Sequence, residues 1–509
     1  MDYLKDISKE IALSLKLLGV RNVFGIPGEN PFIFQFIKEH KINIITCHHE
    51  TYSAIAAGYS FLSSSRPEIC YSSLGPGATN VISGISSCLL DEIPLICLIE
   101  TSLTNDFLQS HQIIPQSHIY KYITKAYYSL SDIHSVKLIM EQAFAKAFEP
   151  PYGPIVIAIP IREKLPLVKP FYNKNYITSK NNISDISFKL KNETFYNDSN
   201  LFILGPRAPY IKDEIIDQIH RNHNSVIITT LMGKRAINEI KYNCKGWIDR
   251  NGSVFIYDKN DSLNYFLYSQ QFSNIFCVNF CASEEMNFLY QKNSLTYFYL
   301  NSFVSERHIP KIINSGWKLF IGDPNNFLKS LIDKFQYRID KKSIKESYNI
   351  LDDPSIAITI DTGTVKRKFG GKIKSSSENH VFISNGFSLL GSQLAAAIGL
   401  AFTKKYRGVL CFIGDGGFLM SCTELNTIMH YNLPIAIIVT VNNSYLQIKN
   451  IQLKYTKNFA GTNFPVPKLD LIANSFGFES IAISGSTNLS KVLNLFLNNP
   501  HPTIIEIIS

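Results

Sequence analysis

The chain holds no CxxC pair, no low-complexity tract and no apolar run of bilayer length. Its nine cysteines are dispersed, and the closest two, Cys277 and Cys281, stand in the apolar run CVNFC. That spacing excludes a zinc ribbon and a secreted disulfide framework, and it predicts a reducing compartment, the cytoplasm. The longest unbroken apolar stretches, such as PIAIIVTV (434–441), are far shorter than the ~20 residues a membrane-spanning helix needs. The N-terminus, MDYLKDISKE, lacks the apolar core of a signal peptide. Charge of one sign is also scarce. Fifty basic against 41 acidic residues give +9, and the lysines are scattered among Asn, Ile and Tyr, as in YNKNYITSKNN (172–182). A nucleic-acid binder would gather them in a patch or stripe. Membrane, secreted, fibrous and nucleic-acid-binding readings are therefore set aside.

The 509 residues, 45% hydrophobic and 18% charged, have a globular composition. At ~150 residues per domain they predict about three domains. Apolar runs alternate with helical patterns along the whole chain. NVFGI (22–26), NIITC (43–47), EICYSSL (68–74), PLICLI (94–99) and PIVIAI (154–159) read as strands. DISKEIALSLKLLG (6–19) and TYSAIAAGYSFLSS (51–64) read as helices. Polar stretches near 166–185 and 336–355 separate this block from a second and a third. The second carries LFILG (201–205), a helix near 210–220, SVIITT (225–230), NIFCVN (274–279), TYFYLN (296–301) and a helix near 326–334. The third carries IAITI (356–360), a helix from Gly391, GVLCFI (408–413), a helix near 421–431, PIAIIVTV and TIIEII (503–508). Continuous apolar strands between helices predict parallel sheets covered on both faces. The expected architecture is three doubly wound α/β domains, at 1–165, 186–335 and 350–509.

Gly414-Asp415-Gly416-Gly417 follows the strand GVLCFI and opens a helix. Glycines there allow close backbone approach to an anion, and a helix N-terminus offers free N–H groups to phosphate. The next strand ends at Asn442-Asn443. Parallel strands bring their carboxyl ends to one edge, so Asp415 and the Asn pair can share one hard cation such as Mg²⁺.

GDG followed by NN is the cofactor signature of the thiamine-diphosphate (ThDP) enzymes of the acetolactate synthase and 2-oxoacid decarboxylase superfamily, which this chain resembles. GVRNVFGIPGEN (19–30), HHE (48–50), GPGATN (75–80), DEIP (91–94), GPIVIAIP (153–160), TLMGKRAINE (230–239), FIGDPNNFLKSL (320–331), DTGT (361–364) and NGFSLLGSQLAAAIGLAF (385–402) extend the resemblance in order along nearly the whole chain. It implies a pyrimidine-binding, a central and a diphosphate-binding domain. It implies ThDP and Mg²⁺ as cofactors, with Gly414, Gly416 and Gly417 at the diphosphate. The metal ligands are Asp415 with Asn442 and the Ser444 carbonyl, favoured by the family's spacing, or with Asn443 and Tyr445.

The resemblance makes Glu50 the catalytic carboxyl that hydrogen-bonds the aminopyrimidine and favours its imino tautomer. A carboxyl at the end of the apolar strand NIITCHHE would be partly desolvated, which suits proton sharing. Gly75, Pro76 and Gly77, with Thr79 and Asn80, would line the ring, and Leu390 would support the bent cofactor. His111 and Gln112 resemble the family's Phe-Gln pair, with Gln112 as the substrate-facing amide and His in place of Phe. Read alone, Glu50 is first a helix N-terminal carboxylate, and Thr79 and Asn80 are equally explained as capping residues.

SYLQIKNIQLKYTKNFAGTNF (444–464) resembles ThDP enzymes of sugar and natural-product pathways, with Ile451 where acetolactate synthases tend to place Trp. The chain ends at IIEIIS without those synthases' C-terminal arm. The expected reaction is carboligation of a small 2-oxoacid, pyruvate first, onto a second carbonyl acceptor. Non-oxidative decarboxylation is the alternative, and a non-catalytic ThDP-fold scaffold is the alternative from another class. GPRAPY (205–210) is a weak Gly motif that leaves FAD open. The family's shared sites imply a homodimer or homotetramer.

Overall fold

Strands that are apolar on both faces need helices on both sides, and that requirement organises the chain. In this computed structural model the described residues are 2–102, 111–149, 151–161, 171–172, 200–205, 213–221, 225–230, 234, 237–242, 244, 246–248, 254–256, 274–278, 295–300, 318–321, 350–370, 373–377, 380–484 and 489–508. The chain divides into two compact units. One is Met1–Lys174 with Ser355–Val365 and Gly386–Ser509; the other is Asn175–Pro354 with Lys366–Asn385.

The first unit opens with α1 (Asp2–Leu17), β1 (Asn22–Gly25), α2 (Ile33–Glu39), β2 (Asn43–Thr46), α3 (Glu50–Ser64) and β3 (Ile69–Ser72). It continues with α4 (Pro76–Asn80), α5 (Ile82–Leu90), β4 (Leu95–Thr101), α6 (Gln116–Tyr120), β5 (Ala126–Ser129), α7 (Val136–Phe148), β6 (Pro154–Pro160) and β7 (Phe171–Tyr172). The sheet order is β2-β1-β3-β4-β6-β5-β7. Pairing is parallel apart from β7, which runs antiparallel to β5. Ile7, Ile11 and Leu15, one helical turn apart on α1, are fully buried against Val23, Ile37, Leu98 and Ile157. Each such side chain contributes roughly 1.5–3 kcal/mol by burial.

The second unit contains β8 (Asn200–Leu204), α8 (Asp213–Arg221), β9 (Ser225–Thr230), β10 (Gly246–Ile248), β11 (Val254–Ile256), β12 (Asn274–Val278), β13 (Leu295–Leu300) and β14 (Lys318–Ile321). Their order is β11-β10-β9-β8-β12-β13-β14, with β11 antiparallel at the edge. The helix expected near 326–334, most of both polar stretches, and GPRAPY beyond Gly205 lie outside the described residues.

The remaining strands are β15 (Ile356–Ile360), β16 (Val381–Ile383, in the second unit), β17 (Gly408–Gly414), β18 (Ile435–Val441), β19 (Glu479–Ser484) and β20 (Thr503–Ile508). Within the first unit they run β15-β17-β18-β20-β19, all parallel. The expected three-sheet α/β class is present, with antiparallel strands only at edges. The helix expected near 421–431 begins earlier. It is α9 (Asp415–Ser421), a short 3₁₀ turn (Cys422–Glu424) and α10 (Leu425–His430).

Among the described residues every cysteine is free, and all but Cys422 are buried. No described helix is long and apolar enough to cross a membrane.

Candidate active site

The first sheet builds one half of the candidate site. After β2 the chain stays extended through His49, whose Nδ1 accepts the Thr51 N–H at 3.2 Å and caps α3. Glu50 is thus the first residue of α3, and only 6% of it is exposed. Asn80 Nδ2 donates to Glu50 Oε2 at 3.1 Å. That bond ties Asn80 to the carboxyl. Thr79 Oγ1 donates back to the Pro76 carbonyl at 2.9 Å, a bond within α4 and not a cap. The far end of α4 is held by its carbonyls: Thr51 Oγ1 donates to Asn80 O and Tyr120 Oη to Ala78 O.

Gly75 opens the turn after β3 with φ +56°, a left-handed conformation that favours glycine. A Cβ there would lie 2.6 Å from Gln112 Cβ. Gln112, itself at φ +61°, therefore packs directly on the Gly-Pro-Gly turn. His111 and Gln112 are exposed. The segment that follows is anchored by Gln116 Nε2, which donates to the Glu100 carbonyl at 2.7 Å. The Glu100 carboxylate accepts N–H groups of Glu29 and Asn30, both at 2.8 Å, and so pins the PGEN turn; burial pushes its carboxyl above the usual range.

The third sheet builds the other half. β17 and β18 are parallel neighbours with Gly414 opposite Thr440, so Asp415 and Asn442 emerge side by side. Asp415 is 2% exposed. Its Oδ1 accepts the Gly416 N–H at 2.9 Å, and its Oδ2 accepts those of Asn442 and Asn443 at 2.8 and 2.6 Å. The two asparagines then diverge. Asn443, at φ +52°, uses its Oδ1 to accept the Val466 N–H at 3.1 Å. Asn442 Oδ1 is buried with no hydrogen-bond partner, as are Ser444 Oγ and Thr462 Oγ1. Among the described residues no three His, Cys, Asp or Glu side chains cluster, so a cation here would depend on amide and carbonyl oxygens as well as Asp415. A carboxylate has about four lone-pair directions, so three N–H bonds leave room for a ligand. A buried amide oxygen without a partner costs about 1–3 kcal/mol, which a bound cation would relieve. The residues fit the expected metal.

The glycines differ in what an added Cβ would meet. A Cβ on Gly416 would meet the Tyr445 ring at 2.7 Å, one on Gly417 would meet Asp361 Oδ2 at 2.4 Å, and one on Gly77 would meet Ser73 Oγ at 2.4 Å. Protein atoms fill those spaces. Of Gly77, Gly414, Gly416 and Gly417, Gly414 alone has no atom within 4 Å of an added Cβ, which leaves space beside it. Asp361, at the end of β15, was not among the expected site residues. Its carboxylate accepts the N–H groups of Gly391 at 2.9 Å and Gln393 at 3.3 Å, and so fixes the turn that carries the half-buried Leu390. DTGT after an apolar strand was the available signal.

Glu50 and Asp415 share no hydrogen-bond partner among the described residues. Glu50 is presented just beyond β2 and Asp415 at the end of β17.

Buried carboxylates delivered from the ends of parallel sheets define a cofactor-dependent α/β enzyme. Residues 5–118 match the thiamine pyrophosphate enzyme N-terminal TPP binding domain, and residues 361–507 match the thiamine pyrophosphate enzyme C-terminal TPP binding domain. The chain belongs to the thiamine-diphosphate-dependent enzymes, and its relatives are of the acetolactate synthase type. A probable acetolactate synthase large subunit of Methanococcus aeolicus is 23% identical, covering 96% of this chain and 89% of that protein. The acetolactate synthase of Bacillus subtilis (strain 168) is 23% identical, with 96% and 90% covered. The chloroplastic acetolactate synthase 2 of Nicotiana tabacum is 22% identical, with 97% and 81% covered.

Proposed function

We propose that the protein is a ThDP- and Mg²⁺-dependent carboligase that takes a two-carbon acyl unit from a small 2-oxoacid, pyruvate first, to a second carbonyl compound. The observation that carries the cofactor assignment is the buried, unpartnered Asn442 Oδ1 beside Asp415. Asp415, Asn442 and the Ser444 carbonyl hold Mg²⁺, and the open space beside Gly414 receives the diphosphate. Bound ThDP supplies a nucleophilic carbon able to take up a 2-oxoacid, release CO₂ and pass on the remaining unit. Glu50 holds or releases a proton at the pyrimidine ring nitrogen, and Asn80 steers its carboxyl through Oε2. Gly75, Pro76 and Gly77 lie along the ring, and Leu390 supports the cofactor.

Gln112 orients the substrate and His111 serves as proton carrier or hydroxyl ligand, both on the turn that Gly75 admits. Ile451, 47% exposed on a helix with no buried residue, leaves the acceptor side uncrowded. The names of the relatives favour carboligation over decarboxylation. Residues 1–165, 186–335 and 350–509 serve as pyrimidine-binding, central and diphosphate-binding domains. Membership of the thiamine-diphosphate enzymes supports a homodimer or homotetramer in which Glu50 of one subunit serves the diphosphate site of another. The free, buried thiols suit the cytoplasm.

The test is product analysis by NMR after incubation with ThDP, Mg²⁺ and pyruvate, alone and with carbonyl acceptors. A ligated product with an added acceptor is expected. Acetaldehyde under every condition would make the protein a decarboxylase, and acetolactate from pyruvate alone would make it a conventional synthase.

A further inference from the structure

The strand that leads to Glu50 is the outermost of its sheet. β2 pairs with β1 on one side only. Unpaired edge groups need other partners. Here they come from side chains on the run that begins at Asp415. Tyr431 Oη accepts the Thr46 N–H at 3.0 Å and donates to the Ile44 carbonyl at 3.0 Å. Thr427 Oγ1 lies 3.1 Å from the Thr46 carbonyl and 2.9 Å from Glu424 Oε2. Glu424 Oε1 accepts the His48 N–H at 2.9 Å, and Asn426 Oδ1 accepts from His48 Nε2 at 3.0 Å. Positions 424, 427 and 431 share one helical face, and positions 44, 46 and 48 share one strand edge. A helix face thus stands where a further strand would pair. The last hydrogen bond is two residues from Glu50, and among the described residues the Asn80 bond is the one that fixes its carboxyl.

We propose that Glu424, Thr427 and Tyr431 are positioning residues for the Glu50 carboxyl, acting by clamping the strand end that presents it. This rests on the role given to Glu50 above. The edge clamp would set where the carboxyl meets the cofactor ring, without itself touching cofactor or substrate.

Tyr431→Phe removes both hydroxyl bonds and keeps the ring contacts with Phe402 and His430, at centroid distances of 5.2 and 4.6 Å. In the cofactor-free protein, amide hydrogen exchange at Thr46 is expected to rise about tenfold or more in this variant. With cofactor, ThDP and Mg²⁺ affinity by calorimetry is expected to stay within about threefold, while C2–H/D exchange slows about tenfold. In a Glu50→Gln background the same substitution is expected to add no further slowing, because the carboxyl it positions is gone. Thr427→Val gives a second, independent variant with the same expectations for cofactor affinity and C2–H/D exchange. Wild-type exchange rates at both Thr46 and C2, an equal further loss in the Glu50→Gln background, or a loss of cofactor affinity would each overturn the clamp. Absence of ThDP binding by the wild-type protein would overturn the proposed function, and the clamp's role with it.

Discussion

Asp415 Oδ2 accepts the backbone N–H groups of both Asn442 and Asn443, yet only Asn442 keeps a free, buried side-chain oxygen. Asn443 spends its own on Val466. Asn442→Ala is therefore expected to weaken Mg²⁺-dependent ThDP binding by about tenfold or more, and Asn443→Ala by less than about threefold. Calorimetry on the two variants checks this. The reverse order would move the ligand to Asn443.

Gly399, in the helix Ser392–Phe402, lies against α3 so closely that a Cβ would stand 2.0 Å from the Ala56 carbonyl oxygen. The small residues of both helices permit that approach. Gly399→Ala is expected to cost about 3 kcal/mol or to prevent folding, since backbone on the far side cannot yield as a side-chain tip can. Denaturant unfolding measures it. A loss of less than about 1 kcal/mol would mean that the helices separate easily.

Burial raises the Glu68 carboxyl to about 8, against bonds from Asn22 N and Nδ2 at 2.7 and 3.0 Å that favour its charged form. The folded state therefore holds this proton more tightly than the unfolded chain. Its contribution to stability is complete below the unfolded value of 4.5 and is lost as pH rises towards 8. Glu68→Gln is expected to flatten this part of the stability profile, where one proton accounts for at most about 1.4 kcal/mol per pH unit. Thermal unfolding of both proteins across that range shows it. Identical slopes would mean Glu68 does not titrate there.

Much of this was legible in the sequence where burial leaves a one-dimensional trace. SVIITT, IAITI and TIIEII coincide with β9, β15 and β20 because strands inside parallel sheets are covered on both faces and read as mostly apolar, β-branched runs. β19 (ESIAIS) escaped because it is an edge strand, largely uncovered, with no continuous apolar run. The helix Leu446–Thr456 buries no residue and so has no apolar stripe to read. α9 begins with Asp-Gly-Gly, poor helix formers, so propensity does not mark its start. At the site, Asp415 and the Asn pair were visible through their spacing. The choice between the asparagines depends on Val466, and the space beside Gly417 on Asp361, contacts that no local pattern encodes.

The central claim is that Glu50 acts on bound ThDP, and one measurement addresses it directly. Proton–deuteron exchange at the cofactor's C2 carbon should be fast with wild-type protein, ThDP and Mg²⁺. In Glu50→Gln it should fall by about a hundredfold or more, the scale of a lost general acid–base group, while calorimetric ThDP binding is kept. Exchange at the wild-type rate in Glu50→Gln would contradict the account.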